Sequence, residues 1–179
     1  MAGLIVGRFQ PFHRGHLAVI STLRNAHPDA SLILAIGSAQ ESFTMENPFT
    51  AGERVEMIQR ALAEARIEGC LPVPVADIHQ HAQWAAYLQG LLPAFDVVYT
   101  NNPLTRLLFE REGIRVESPA WVDRERFQGV VVRGRILKHQ NWAELVPPAV
   151  ARFLEEIGAP ERLRRIAERA QEPVAGPKP

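Results

Sequence analysis

An α/β fold built on a doubly wound parallel sheet is what this chain predicts, and three observations carry that prediction. Short apolar runs alternate along the chain with segments of helical periodicity. The first run, Leu4-Ile5-Val6, is continuous rather than alternating, as a strand covered on both faces requires. Gly37, Ser38, Asp77 and Ile78 fall at or just past the ends of later runs, where open α/β sheets receive their ligands.

The elements follow in order. After Leu4-Ile5-Val6 comes Gly7-Arg8-Phe9-Gln10-Pro11-Phe12-His13-Arg14-Gly15-His16, and then Leu17, Ile20 and Leu23 recur at helical spacing. Residues 31–36 form a second strand that ends in Gly37-Ser38-Ala39-Gln40. The next helix has Thr50 as its cap and Glu53 three residues later, a capping box, with Val55, Ile58 and Leu62 as its apolar stripe. Residues 71–76 are a third strand, and a helix carrying Trp84, Leu88 and Leu91 follows the loop at Asp77. A fourth strand at 95–99 ends in Thr100-Asn101-Asn102-Pro103. Residues 104–112 are helical, 114–116 a short strand, and 119–127 irregular and charged. Another helix starts near Gly129, Pro147-Pro148 opens one containing Val150, Phe153, Leu154 and Ile157, and Pro160 opens the last. Residues 172–179, rich in proline and poor in apolar groups, are expected to be a disordered tail.

The bulk properties narrow the classes of function. A chain of 179 residues, 46% of them apolar, can bury one full core, so a single domain over residues 1–171 is expected. Twenty basic residues balance twenty acidic ones. No global field therefore draws the chain to nucleic acid or to an anionic membrane, and any attraction for phosphate has to be local. Cys70 is the one cysteine, which excludes an intrachain disulfide framework and a multi-thiolate metal site and leaves it as a small packing residue. With no apolar stretch of spanning length and no signal-peptide pattern, a cytoplasmic protein is expected.

The segment from Gly7 to His16 reads as a phosphate site. Two histidines three residues apart stand at a helix start, where free backbone N–H groups and the positive dipole end favour an anion. Gly15 leaves room for a phosphate at the backbone, and Pro11 stiffens the turn. A histidine in such a place is more often a cap, and that alternative stands for each one singly. Neither GxxxxGK[ST] nor GxGxxG occurs.

A strand, a Gly-Arg turn, a proline and HxGH in that order resemble the signature of the HxGH nucleotidylyltransferase superfamily. Gly37-Ser38-Ala39-Gln40-Glu41-Ser42-Phe43-Thr44, Asn47-Pro48-Phe49-Thr50-Ala51-Gly52-Glu53-Arg54, and Asp77-Ile78 with Trp84 extend the resemblance over residues 3–168 to the archaeal-type nicotinamide mononucleotide (NMN) adenylyltransferases. That resemblance implies a Rossmann-like nucleotidylyltransferase domain with a C-terminal helical segment. It implies transfer of AMP from ATP to NMN, giving NAD and pyrophosphate, with His13, His16, Arg8 and Arg133 as catalytic groups. Gly7, Arg8, Phe9, Gln10, His13, Gly15, His16, Gly129 and Arg133 would bind ATP; Gly37, Ser38, Asp77, Ile78, His81 and Trp84 would bind NMN. Mg²⁺ would arrive with ATP, since the motif has no carboxylate cage. Nucleic-acid and membrane partners are not expected, and a homo-oligomer, a hexamer in such relatives, is.

Alternatives remain at single residues. Trp84 is either a stacking face for a cationic pyridinium or a core tryptophan, and Asp77 is either a ligand group or a helix cap. Asp77, His79 and His81 have the spacing of metal ligands, although nothing nearby completes a set, and a solvated loop is the simpler account. Glu110-Arg111-Glu112 and the arginines 162, 164, 165 and 169 read as exposed helix faces, and Trp121 and Trp142 as packing residues. The chain also departs from the pattern it resembles. At Gln128-Gly129-Val130 both hydroxyls of Ser-Gly-Thr are missing, while Arg133 keeps its place. His81 replaces an asparagine, Phe43 a histidine and Asn101 a glycine, all expected near the mononucleotide. Acceptance of the deamidated acid mononucleotide, with His81 meeting its carboxylate, is one expectation; another phosphate monoester as acceptor, or a nucleotide-binding regulator without turnover, are the competing ones.

Overall fold

The structure, a computed structural model, describes residues 1–120 and 122–171. Five strands form one parallel sheet: β1 (Ala2–Gly7), β2 (Ser31–Ile36), β3 (Cys70–Pro74), β4 (Val97–Tyr99) and β5 (Arg115–Glu117), in the spatial order β3-β2-β1-β4-β5. The helices are α1 (Arg14–Ala26), α2 (Ala51–Glu64), α3 (His81–Leu91), α4 (Pro103–Arg111), α5 (Gly129–Leu137), α6 (Pro148–Glu156) and α7 (Ala159–Gln171). Expected and observed ends agree closely, and β2 and the start of α5 coincide. A short 3-10 turn at Ala143–Leu145, which the sequence pattern does not announce, precedes α6. The expected tail at 172–179 and the packing assigned to Trp121 lie outside the described residues.

Strand alternation divides the core in two. Leu32, Leu34 and Ile36 of β2 face one way and pack with α1, α2, α5, α6 and α7, whereas Ile33 and Ala35 face the other way and pack with α3 and α4. Both faces are thus covered, which explains why β2 is apolar at every position from Leu32 to Ile36. Pro72 and Pro74 lie in β3, an edge strand, where a missing N–H costs the sheet little. Trp142 is buried in the larger core, as expected of a packing residue, and Cys70 packs against it. No helix among the described residues is long and apolar enough to cross a membrane.

The order places β1 between β2 and β4. From β1 the chain goes through α1 to β2 and β3 on one side, then returns through α3 to β4 and β5 on the other. A crevice opens at the carboxyl ends where the direction reverses. The loops after β1, β2, β3 and β4 all meet there.

Candidate active site

His13 and His16 cap each other. The His16 N–H donates to His13 Nδ1 at 3.3 Å and the His13 N–H donates to His16 Nδ1 at 3.2 Å, a capping box made from two imidazoles. The rings stack with centroids 3.5 Å apart and planes 15° apart, and Phe9 and Phe12 close on His16 from its other sides. Burial pushes the His13 pKa down to about 4, and burial together with the neighbouring His13 holds that of His16 well below the usual imidazole range. Both rings are therefore neutral near pH 7. Because each Nδ1 accepts a backbone N–H, the ring proton sits on Nε2. Capping and ligand binding, posed as alternatives from the sequence, are compatible: one nitrogen of each ring caps and the other remains a donor.

The start of α5 faces this pair. Arg8, Phe9, Gln10, His13, His16, Gln128, Gly129, Val130 and Arg133 line a cleft of about 240 Å³. Neither α1 nor α5 has an acid in its first turn, so both positive dipole ends are left uncompensated. The Gln128 side chain donates to the Arg124 carbonyl instead of capping α5, which leaves the first backbone N–H groups of α5 without a side-chain acceptor. Arg133 donates to the Gln10 carbonyl at 2.6 Å. A Cβ at Gly129 would stand 2.7 Å from that same carbonyl oxygen, so only glycine allows helix and loop to come this close.

Several residues expected at ATP also build the cleft itself. The Gln10 amide is fully used by Phe49, donating to its carbonyl at 2.9 Å and accepting its N–H at 3.0 Å. Phe9 is buried and wedges His16. The Phe127 Cβ lies 2.8 Å from where a Cβ of Gly15 would be, so this glycine admits Phe127 at close range. Gly7 lines the neighbouring cleft instead.

That second cleft, about 530 Å³, is lined by Gly7, Arg8, Gly37, Ser38, Asp77, His79, Gln80, His81, Trp84, Thr100, Asn102 and Leu104 among others. Of the six residues expected at the mononucleotide, Gly37, Ser38, Asp77, His81 and Trp84 come together here; Ile78 is not in the lining. Asp77 does not cap α3. Its carboxylate accepts the Ser38 hydroxyl at 2.5 Å, and its backbone N–H and carbonyl are held by the Gln40 amide at 3.0 and 3.3 Å. Trp84 is half-buried and meets Phe109 edge-on at 5.6 Å, so it is both part of the core and part of the cleft wall. Arg8 borders both clefts.

Other expectations are corrected. Phe43 and Asn101 are not at this cleft: Phe43 lies under the Arg162 guanidinium, 5.1 Å away, and the Asn101 amide holds the Pro119 carbonyl at 2.8 Å. Arg162 is no solvated face, because both its terminal nitrogens reach the Glu53 carboxylate at 2.7 Å. The α2 stripe is rotated, with Met57, Ile58, Ala61 and Leu62 buried and Val55 only partly so. Arg54 falls on that buried stripe. Its position three and four residues before Met57 and Ile58 is the signal that marks it in the sequence.

Residues 4–147 match the family described as cytidylyltransferase-like. A nicotinamide-nucleotide adenylyltransferase from Picrophilus torridus is 42% identical over 168 residues, covering 94% of this chain and 98% of that protein. Its namesake from Archaeoglobus fulgidus is 41% identical over 174 residues, covering 94% and 99%. Among solved structures, a bifunctional NMN adenylyltransferase/ADP ribose pyrophosphatase from Francisella tularensis, complexed with AMP and a manganese ion, superposes with a TM-score of 0.78. That match covers 94% of this chain but spans only 52% of the bifunctional one, and at 21% identity it speaks to the fold alone.

Proposed function

The chain belongs to the cytidylyltransferase-like family and, within it, to the nicotinamide-nucleotide adenylyltransferases; from that premise we propose that it joins NMN to the AMP part of ATP, giving NAD and pyrophosphate. One observation carries the assignment of roles: a cleft walled by anion donors and a cleft walled by an aromatic face meet at Arg8. The first is suited to a triphosphate and the second to a pyridine mononucleotide, and the reacting phosphates would meet between them.

The NMN 5′-phosphate is already an anionic nucleophile. One of its oxygens attacks the α-phosphorus of ATP in line, the bond from that phosphorus to the β-phosphate oxygen breaks, and pyrophosphate leaves with the electron pair. No strong base or covalent enzyme intermediate is required, so placement and charge do the catalysis. The Nε2–H groups of His13 and His16 would donate to the triphosphate as neutral donors. Positive charge would come from Arg8, Arg133 and the two helix starts. Gly129 would act through its backbone N–H.

The donor set fits a divalent cation that arrives on the nucleotide, because the cleft is walled by anion donors and no cluster of three or more His, Cys, Asp or Glu among the described residues could hold one. When bound, Mg²⁺ would neutralise phosphate charge and help pyrophosphate leave. The cytoplasm as location and a homohexameric assembly are part of the same proposal; light scattering on the purified protein tests the assembly.

The test is NAD formation from ATP and NMN. NAD and pyrophosphate should appear in equal amounts, only when both substrates are present, with label on the ATP α-phosphate ending in NAD. No NAD under these conditions would end the reading. Running nicotinic acid mononucleotide in parallel tests the group specificity that His81, at the first turn of α3 in the second cleft, is placed to read.

A further inference from the structure

Among the described residues Arg54 is the one permanently charged side chain with no exposure at all. Among the described residues no carboxylate is in ion-pair contact with it, although the charge of Asp77 is felt there. Its donors go instead to four carbonyl oxygens: Nε to Thr50 at 3.2 Å, one terminal nitrogen to Arg8 at 3.1 Å and to Gly37 at 2.7 Å, and the other to Ser38 at 3.0 Å. Three of those carbonyls belong to the loops after β1 and β2. A single nitrogen therefore ties two strand ends that carry no covalent link at this point.

Those loops are held in backbone states that side chains disfavour. Phe9, directly after Arg8, has φ +52°, and Ser38 has φ +51°. Left-handed residues persist only where their surroundings over-determine them. Ser38 is gripped from two sides, its carbonyl by Arg54 and its hydroxyl by Asp77. In the phosphate cleft only Arg8 meets this brace, and through its backbone carbonyl, whereas His13, His16 and Arg133 are held by contacts of their own.

We propose that Arg54 is a positioning residue for the acceptor: its buried guanidinium bridges the loops after β1 and β2 and so presents Ser38, Gly37 and the Arg8 backbone to the mononucleotide. The inference rests on the assignment of the second cleft to NMN. Lysine at this position keeps a cation with three N–H donors, but on one nitrogen it lacks the planar spread with which the guanidinium reaches the Thr50, Arg8, Gly37 and Ser38 carbonyls together.

Steady-state kinetics on Arg54→Met and Arg54→Lys, with both substrates varied, tests it. Arg54→Met should raise KM for NMN about tenfold or more while KM for ATP stays within about twofold, and Arg54→Lys should recover only part of the loss. Equal changes in both constants, an unchanged KM for NMN, or full recovery by lysine would each overturn the proposal. If Arg54→Met does not fold, Arg54→Lys decides alone by the same split. Without substrate, amide hydrogen exchange at residues 37–40 should be faster in Arg54→Lys than in the wild type, with residues 13–16 unchanged; equal rates at 37–40 would also overturn it. Wild-type NAD formation, run alongside, separates failure of this inference from failure of the assigned reaction.

Discussion

The two clefts are built to different standards. On the phosphate side all the expected groups but the exposed Arg8 are held by close contacts: the histidines cap each other, Arg133 holds the Gln10 carbonyl, and Gln10 is anchored on Phe49. On the acceptor side the loops are braced from below by Arg54 and Asp77, but the groups facing the cleft are looser, with His81 exposed and α3 lacking a side-chain cap. In the proposed assignment, preorganisation is greatest where negative charge would develop in the reaction and least where the acceptor would be selected. On that assignment, reaction class and acceptor choice thereby fall to different residues.

Removing the His16 ring is the severest way to break this contrast. His16→Ala should lower kcat by about 10² or more with small changes in either KM, in a protein that still folds. A near wild-type rate would show that the phosphate side does not depend on its imidazoles.

Acid tests the same side through stability. His13 titrates near 4 in the folded chain against 6.5 unfolded, so between those values the unfolded state binds the extra proton and folding weakens as pH falls. The contribution is complete above about pH 6.5 and is lost on descending through about 4. For His13 alone the loss is on the order of 3 kcal/mol, and His16 acts in the same direction. Thermal melts from pH 7 down to 4 should show a steep fall that His13→Gln lessens; an unchanged profile in that variant would count against the mutual cap.

On the acceptor side a smaller and more selective effect is expected. Trp84→Ala should raise KM for NMN about tenfold and leave KM for ATP nearly unchanged. Equal effects would assign Trp84 to the core through Phe109. The smallest change sharpens the comparison from the other direction. Val130, exposed in the first turn of α5, stands where the Ser-Gly-Thr pattern that this segment resembles has a hydroxyl, and Val130→Thr should lower KM for ATP about fivefold, in line with about 1 kcal/mol per added neutral hydrogen bond. No change would mean that the α5 backbone donors already suffice.

Local patterns made much of this legible. The capping box at Thr50 and Glu53, the limits of β2, and the glycine start of α5 all depend on residues a few positions apart, and all are found where the sequence places them. The paired imidazoles were legible for the same reason, because HxGH holds both within one helical turn. What stayed hidden depends on distant parts of the chain. Gln10 meets Phe49, Gly15 meets Phe127 and Arg162 meets Glu53, and no periodicity announces such pairs. Arg54 left a trace, a charge on an apolar stripe, but a stripe drawn through Val55, Ile58 and Leu62 passes it by.

The strand order has a practical consequence. Since β1 separates the two arms of the sheet, the largest share of the acceptor wall, seven of its fifteen residues, comes from one stretch, Gly37 to Trp84, while α5 and Arg133 come from another far along the chain. The first stretch is in effect a cassette. Exchanging it, with Arg54 inside it, is the natural route to an enzyme that attaches the same adenylyl group to a different partner.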